Sequence, residues 1–274
     1  MDWITGEKFQ NVGDFTFAPP NKVGGDYNSL PNTFNKDLVK DGSVIYTHSM
    51  YTHELLKEIK QLSKKVTIIT HNCDWNIDSS FPVPENIIKW YGQNIDVVNP
   101  KIESIPIGLE NPWWFVKERK KEKMIAMSET PKDIRKIVYV NHNISTNPLQ
   151  RQEAYEHFQN KPFATVEHGL NGQGFNNYLD NIYHHKFVVC PAGNGIDTHR
   201  TWETLYMGSI PIEIRNINNQ FYTDLPICFI DDWGEITEDF LNKEYARISN
   251  TDWNVGKLKF GYWKNKIMNQ DEIN

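Results

Sequence analysis

The sequence lacks long hydrophobic runs and contains few cysteines. Nowhere do about 18 apolar residues follow one another, the length that a membrane-spanning helix requires. Residues 1–10 contain charged side chains and no apolar core of signal-peptide length. The three cysteines, Cys73, Cys190 and Cys228, have no paired spacing. Since Cys190 and Cys228 lie in apolar segments, we predict core residues rather than disulfide partners or zinc ligands, and we expect a soluble, cytoplasmic protein.

Several catalytic motifs are also missing. The sequence contains neither a Gly-Lys-Ser/Thr P-loop nor Gly-x-Ser-x-Gly, which argues against a hydrolase or phosphatase. It has no Asp-x-Asp, and no histidine pair has a third ligand at a recognisable interval, so we predict no metal site. The net charge of −6 argues against nucleic-acid binding as the main function.

The second half of the chain alternates between short apolar segments and amphipathic ones. The predicted strands are Lys136–Val140, Phe163–Val166, Phe187–Cys190, Ile210–Ile214 and Ile227–Ile230, and the predicted helices are Leu149–Gln159, Phe175–His184, Thr198–Met207 and Glu235–Glu244. Strict alternation of this kind predicts a parallel sheet that is covered by helices on both faces, which is the α/β fold class.

The first half shows a weaker version of the same pattern. A predicted βαβ unit consists of Ser43–Thr47, Tyr51–Lys64 and Val66–Thr70. Further predicted elements are a strand at Asp14–Ala18, a helix at Pro84–Asn94 and strands at Asp96–Val98 and Ser104–Ile107. The charged segment Val116–Ser128 is the predicted connection, which gives two domains, residues 1–130 and 131–274, with the C-terminal segment returning to the first.

The segment from Lys186 to Arg215 is the most informative part of the sequence. A buried strand at Lys186–Pro191 is followed by a loop, Ala192–Thr198, that contains Gly193 and Gly195. A helix is predicted to begin near Thr198. Because the first N–H groups of a helix lack internal partners and lie at the positive end of its dipole, this position favours anions, and phosphate in particular.

Two polar residues share one face of that helix. Trp202 and Leu205 have the spacing of a packing face, whereas Arg200 and Glu203 lie on another stripe. Arginine can bind phosphate oxygens with two N–H groups, and a carboxylate one turn later can accept from a ribose or sugar hydroxyl. The alternative is a surface ion pair, worth a few tenths of a kcal/mol. The glycine-rich loop before the helix favours the ligand site.

The order of these motifs resembles the nucleotide-sugar-binding half of exostosin-like glycosyltransferases of the GT-B type. The resemblance is carried by Cys190, Pro191, Gly193, Gly195, Arg200, Glu203, Gly208, Ile210 and Pro211. It implies two Rossmann-like lobes with parallel sheets and an interlobe cleft. It also implies metal-independent transfer of a sugar from a nucleoside-diphosphate sugar, held by the C-terminal lobe, to a glycan or other hydroxyl acceptor. Those enzymes are larger and membrane-anchored, so their polymer substrates are not part of the prediction.

Other donor-binding candidates follow from the predicted strand ends. Asn143 follows the first strand of the second half, and Arg151 lies at the start of the next helix, so both could contact donor phosphates. A turn asparagine and an exposed arginine are the alternatives. Asp197 precedes the Arg200 helix, where its more favoured role is a helix N-cap. Glu167, at another strand end, ranks lower.

Sugar transfer with inversion also needs a general base. Histidine with a pKa of about 6.5 suits that role, and His71 follows a predicted strand with Asp74 three positions later to orient it. His48 and Glu110 also lie at predicted strand ends. For each, a loop residue without a chemical role is the alternative. The sequence therefore predicts a glycosyltransferase without cofactor, and the alternative is a non-catalytic nucleotide- or glycan-binding module.

Overall fold

The structure of the protein, a computed structural model, describes residues 2–20, 30–111, 120–168 and 174–269. The chain forms two compact units. One contains Asp2–Ile107 and Lys259–Asn274, and is called the first unit below; the other, the second unit, contains Gly108–Leu258. This division lies upstream of the predicted boundary at 130/131. Residues 116–119 of the predicted connection lie outside the described residues.

Each unit contains a five-stranded sheet in which all paired strands are parallel. The first sheet has the order β1-β2-β3-β4-β5 and consists of β1 Phe15–Thr16, β2 Val44–His48, β3 Val66–His71, β4 Ile87–Gly92 and β5 Ile102–Ser104. The second sheet has the order β10-β9-β8-β6-β7 and consists of β6 Lys136–His142, β7 Ala164–His168, β8 His185–Val189, β9 Ile210–Ile214 and β10 Cys228–Ile230. The predicted α/β class with two parallel sheets is confirmed, and the interlobe cleft stays a prediction.

Helices flank the strands in both units. Those of the first unit are α1 Gly6–Gln10, α2 Thr52–Ile59 and α8 Phe260–Met268. Those of the second are α3 Lys120–Ser128, α4 Pro148–Phe158, α5 Gly174–His184, α6 His199–Tyr206 and α7 Glu238–Ser249. Helix α3 contacts α5 through an ion pair of 2.8 Å between Lys123 and Asp180, which groups α3 with the second unit.

The central strands of the first sheet, β2 and β3, are buried along their whole length, as their apolar sequences predict. Helix α2 covers them with Leu55, Leu56 and Ile59, which recur at helical spacing and are at most 2% exposed. The predicted βαβ unit is therefore confirmed, although α2 ends earlier than predicted.

Two predictions in the first unit are wrong. Residues 84–94 form strand β4 rather than a helix, and β4 pairs with β3. Its apolar residues fit either period, but Ile88, which a helix would bury beside Ile87, is 41% exposed. Residues 96–98 form no strand, and the nearest pairing is an isolated bridge between Ile77 and Ile95.

The last described helix, α8, packs within the first unit. Trp263 and Ile267 are each 1% exposed, and the backbone N–H of Gly261 donates to Asp2 at 2.7 Å. Lys266 forms an ion pair with Glu103 at the end of the sheet. The first unit is therefore built from both ends of the chain.

The second unit follows the predicted alternation of strands and helices closely. All five strands and the four helices from α4 to α7 lie where the sequence predicts them, within a few residues at their ends. One core cluster joins the sheet to its helices and includes Val138, Val140, Phe158, Phe187, Ile212 and Trp233. Cys190 and Cys228 are buried, as predicted.

Candidate anion-binding site

The strand order of the second sheet places one pair of strand ends at a topological switch point. Strands β6 and β8 are neighbours, but the sheet continues from β6 to β7 on one side and from β8 to β9 on the other. Connections therefore leave the two strands in opposite directions and open a crevice at their carboxyl ends, where ligands bind in sheets of this kind. Asn141 and His142 end β6, Asn143 follows it, and the loop 190–198 follows β8.

Arg200, in the first turn of helix α6, has a buried donor without a partner. Its Nη1 atom is inaccessible to solvent and forms no hydrogen bond with the described residues. The guanidinium carbon lies 5.0 Å from the centre of the Tyr178 ring, a cation–π distance. Burial by itself lowers the pKa of Arg200, but the acidic groups of Tyr178, Cys190 and Glu203 more than offset this and raise it. Arg200 is therefore a protonated side chain with one unused donor.

The N-terminus of α6 has no side-chain cap. Thr198 occupies the N-cap position in extended conformation, but its hydroxyl makes no capping bond, and Oγ1 is buried without a partner in the described chain. Asp197, predicted either to bind the donor or to cap the helix, is not the N-cap residue and accepts a hydrogen bond of 2.9 Å from the indole of Trp202. No side chain thus caps the positive end of the α6 dipole.

The loop before α6 is held by Arg151. The guanidinium donates from Nε to the carbonyl of Ala192 at 2.9 Å and from Nη1 to the carbonyl of Asn143 at 2.9 Å. The loop closes on itself through a 3.0 Å bond from Gly193 N–H to the carbonyl of Gly195. A β-carbon on Gly193 would lie 2.7 Å from Nη2 of Arg151, so a larger residue would require the guanidinium to shift. Arg151 joins the two strand-end segments.

The two arginines are close enough to affect one another electrostatically. Burial and then the charge of Arg200 lower the pKa of Arg151 to about 10. Because this value is still well above neutral pH, both guanidiniums are charged. The combination of two cations and a helix N-terminus is complementary to a multivalent anion.

Glu203 lies inside this arrangement rather than on the surface. It is 6% exposed, and its Oε2 accepts a 2.7 Å hydrogen bond from the Tyr178 hydroxyl. Burial raises its pKa, although the bond from Tyr178 opposes the shift. The alternative of an exposed Arg200–Glu203 ion pair therefore does not hold. Tyr178 links the two instead, since its ring faces Arg200 and its hydroxyl bonds Glu203.

A second carboxylate, Glu167, ends strand β7. Its Oε2 accepts from the Tyr139 hydroxyl at 2.7 Å and from Asn141 Nδ2 at 3.3 Å, while its Oε1 accepts from Asn181 Nδ2 at 3.2 Å. Tyr139 and Tyr178 have ring centres 6.3 Å apart, so the two carboxylates belong to one polar cluster.

Sequence reasoning missed Tyr139, Tyr178 and Asn181. Tyr178 and Asn181 share a face of α5 at i, i+3 spacing, but an aromatic residue there is indistinguishable from an ordinary core residue. Asn143 fits its alternative interpretation as a turn residue. Its Oδ1 accepts from the backbone N–H of Ser145 at 3.1 Å, and its carbonyl binds Arg151.

The predicted base His71 has both ring nitrogens engaged. Nδ1 accepts from the backbone N–H of Asn72 at 2.8 Å, so Nε2 carries the proton and donates to the carbonyl of Pro106 at 3.0 Å. The side chain is 1% exposed, whereas Asp74 is exposed. A proton could be accepted only by breaking one of these bonds, so the geometry favours the alternative, a histidine without a chemical role.

The described residues contain neither a group of metal ligands nor a helix that could cross a membrane. No cluster of three or more His, Cys, Asp or Glu side chains there has the geometry of a metal site. No helix in the same ranges combines the length and apolar character that crossing a bilayer requires.

The chain resembles solved structures only at low sequence identity. No family model and no curated protein matches the chain. Among solved structures, it is similar to a DNA-modifying β-glucosyltransferase studied with and without its substrate uridine diphosphoglucose. The two share 10% identity over 89% of this chain and 82% of that one, with a TM-score of 0.30. Likeness of this degree says nothing about substrate.

Proposed function

We propose that the second unit binds the diphosphate of a nucleoside-diphosphate sugar and that the protein is a glycosyltransferase. The observation that carries the proposal is the buried, unpartnered Nη1 of Arg200 at the uncapped N-terminus of α6. A buried donor of a charged group costs free energy when it has no acceptor, and an anionic ligand supplies one. The unpartnered hydroxyl of Thr198 is a second donor at the same end of the helix.

The ligand is proposed to be a diphosphate that carries a sugar because cationic and hydroxyl-accepting groups occur together. In this proposal, Arg200 and the first N–H groups of α6 donate to phosphate oxygens. The positive charge of Arg151 stabilises the same phosphates. Glu203 uses Oε2 for Tyr178, which leaves Oε1 to accept from a ribose or sugar hydroxyl. Gly193 lets the loop backbone approach the ligand closely.

Glycosyl transfer follows from the same charges and from the resemblance to exostosin-like enzymes. As the bond from the sugar to the diphosphate breaks, negative charge grows on the departing nucleotide. Preorganised cations and helix N–H groups stabilise that charge more strongly than the ground state, which lowers the barrier. The acceptor is a hydroxyl group. The predicted base role of His71 is not carried into the proposal, because both its ring nitrogens are engaged.

The proposal is tested by nucleotide binding to matched arginine variants. Thermal shift with UDP, GDP, CDP and their sugar derivatives should raise the melting temperature with at least one nucleotide. Arg200→Gln should weaken that nucleotide by about 10- to 100-fold in isothermal titration, because a charge-assisted bond is lost. Arg247→Gln is the control, since Arg247 is exposed and pairs with Glu244 on α7. If no nucleotide binds, or both variants bind alike, the proposal is wrong.

A non-catalytic nucleotide-binding module is the second candidate. It is favoured because both ring nitrogens of His71, the predicted base, are hydrogen-bonded within the protein. A module and an enzyme bind the donor equally, so affinity does not separate them. The separating measurement is release of nucleoside diphosphate from a bound donor in the presence of hydroxyl acceptors. Continuous release supports the transferase, whereas binding without release across the donors and acceptors supports the module.

A further inference from the structure

Tyr178, on helix α5, contacts both side chains of α6 that the proposed function assigns to the ligand. Its ring centre lies 5.0 Å from the guanidinium carbon of Arg200, and its hydroxyl donates to Oε2 of Glu203 at 2.7 Å. The tyrosine side chain is 4% exposed. The proposed function gives Arg200 a phosphate contact and Glu203 a hydroxyl contact, and it gives no role to the residue that joins them.

The hydroxyl of Tyr178 orients Glu203. Burial raises the pKa of Tyr178 well above its ordinary value, so the phenol stays protonated and donates to the carboxylate. The bond holds Oε2 of Glu203 toward Tyr178, and it opposes the rise that burial causes in the pKa of Glu203. The hydroxyl therefore favours the ionised carboxylate and leaves Oε1 as the oxygen for a ligand.

The ring of Tyr178 acts on Arg200 in a different way. A guanidinium at this distance is attracted by the face of the ring, and that attraction uses none of its N–H donors. Nη1 of Arg200 accordingly keeps no hydrogen-bond partner among the described residues. The ring of Tyr139 lies 6.3 Å from that of Tyr178, centre to centre, so packing restricts the ring that holds the cation. Arg200 is held in place while its donor stays available to an anion.

We propose that Tyr178 is a positioning residue that makes the site selective for a diphosphate carrying a hydroxylated group over inorganic pyrophosphate. Its ring holds the cation for phosphate, and its hydroxyl holds the carboxylate for ribose or sugar. A ligand with both groups uses both contacts, whereas pyrophosphate uses the first alone. A buried acceptor set to receive a hydroxyl disfavours a ligand that lacks one. This inference rests on the proposed function, because it concerns the same ligand.

The test removes the hydroxyl and keeps the ring. Wild type and Tyr178→Phe are titrated calorimetrically with inorganic pyrophosphate and with UDP, GDP, CDP and their sugar derivatives. Tyr178→Phe should weaken the nucleotide that binds wild type by about tenfold, because Glu203 loses its orientation, and it should change pyrophosphate affinity less than twofold. Glu203→Gln alone should show the same selective loss. Urea denaturation checks that each variant is folded.

A double-mutant cycle separates positioning from a merely structural role. If Tyr178 acts on the ligand through Glu203, Tyr178→Phe should weaken the nucleotide no further in a Glu203→Gln background. Tyr178→Leu also removes the ring and should weaken pyrophosphate, because Arg200 loses its cation–π contact. Tyr183→Phe is the matched control. Tyr183 lies on the same helix, is 8% exposed and donates its hydroxyl to the carbonyl of Pro131, so its loss should leave both affinities unchanged.

The outcomes distinguish this inference from the proposed function. If a nucleotide binds wild type and is weakened by Arg200→Gln, but Tyr178→Phe leaves it unchanged, the inference alone is wrong. Additive losses in the cycle, or equal losses in Tyr178→Phe and Tyr183→Phe for both kinds of probe, also overturn it, since they indicate a general effect on packing. If neither pyrophosphate nor any nucleotide binds wild type, the proposed function fails and the inference fails with it.

Discussion

The two units have the same kind of sheet but differ in strand order and in the charge at their carboxyl edges. In the first, the described strands follow one another across the sheet, so no switch point opens a crevice; in the second, β6 and β8 form one. The first edge carries neutral groups, His48 and Ser49, whereas the second carries the guanidiniums of Arg151 and Arg200. The difference indicates that the shared architecture leaves ligand choice to the residues that follow the strands.

The largest expected effect concerns a half-buried lysine of the second unit, Lys132, whose pKa is lowered by burial to about 7. Its Nζ donates to the carbonyls of Ile182 and Met207, at 3.4 and 3.3 Å, and to Ser209 Oγ. Lys132→Met removes the donor from all three acceptors. We therefore expect the free energy of unfolding, measured by urea denaturation, to fall by about 3 kcal/mol. Lys186→Met, which removes a cation 4.5 Å from the Tyr245 ring, should cost less than about 1 kcal/mol. Equal losses would show that Lys132 has no special role.

A glycine next to His71 tests how tightly the first edge is packed. A β-carbon on Gly6 would lie 1.8 Å from Asn72 Oδ1 and 2.7 Å from His71 Nδ1. Gly6→Ala should destabilise the first unit by about 2 kcal/mol, and hydrogen exchange should accelerate there but not in the second unit. Gly256→Ala, where the nearest atom to the new β-carbon would be Asn254 Oδ1 at 3.3 Å, is the matched control and should change stability little. Exchange that accelerates equally in both units would contradict the prediction.

Buried histidines should make both units sensitive to acid. Burial lowers the pKa of His48 and of His185 from 6.5 to about 4. The unfolded chain therefore binds these protons more tightly, so the stability each contributes above pH 6.5 is lost as pH falls toward 4. We expect a loss on the order of 1–2 kcal/mol per histidine between pH 7 and 5, measured by urea denaturation.

The two histidines should respond differently to substitution. His185 is bonded to the carbonyl of Asn181 at 2.5 Å and to the Thr165 hydroxyl at 2.9 Å, whereas Nδ1 of His48 has no partner in the described chain. His185→Asn should therefore lower stability at pH 7 more than His48→Asn, while each variant reduces the acid sensitivity. A pH profile that neither variant changes would rule out both groups as its source.

The smallest expected effect on stability is at Gly193. A β-carbon there would displace Nη2 of Arg151, which is the end of a flexible side chain, so Gly193→Ala should cost about 1 kcal/mol or less. Nucleotide affinity should nevertheless fall by about tenfold, because the loop moves away from the ligand. Unaltered nucleotide affinity in isothermal titration would show that Gly193 does not contribute to the site.

The sequence predicted the second unit better than the first for a physical reason. Strands of the second unit are apolar runs separated by amphipathic helices, and each run has a single interpretation. In the first unit, Ile87, Trp90 and Tyr91 fit a helix and a strand equally, and only pairing with β3 decides. Such pairing depends on residues distant in the chain, which local periodicity does not contain.

Local sequence pattern identifies some residues of the candidate site and misses those that depend on packing, and the binding role of the site stays a prediction. Arg200 and Glu203 followed from helical spacing and a preceding glycine loop. The link that Tyr178 makes between them requires helix α5 to pack against α6, and no local pattern marks it. The engagement of His71 likewise depends on the distant carbonyl of Pro106.

The position of helix α8 in the first unit also has a consequence during translation. Trp263 and Ile267 are buried in a unit whose larger part, Asp2–Ile107, leaves the ribosome before residue 108. The core of the first unit therefore lacks α8 until the whole of the second unit has been synthesised. Domains more usually fold in the order in which they emerge from the ribosome. The unit whose synthesis begins before that of the second unit is therefore completed after it.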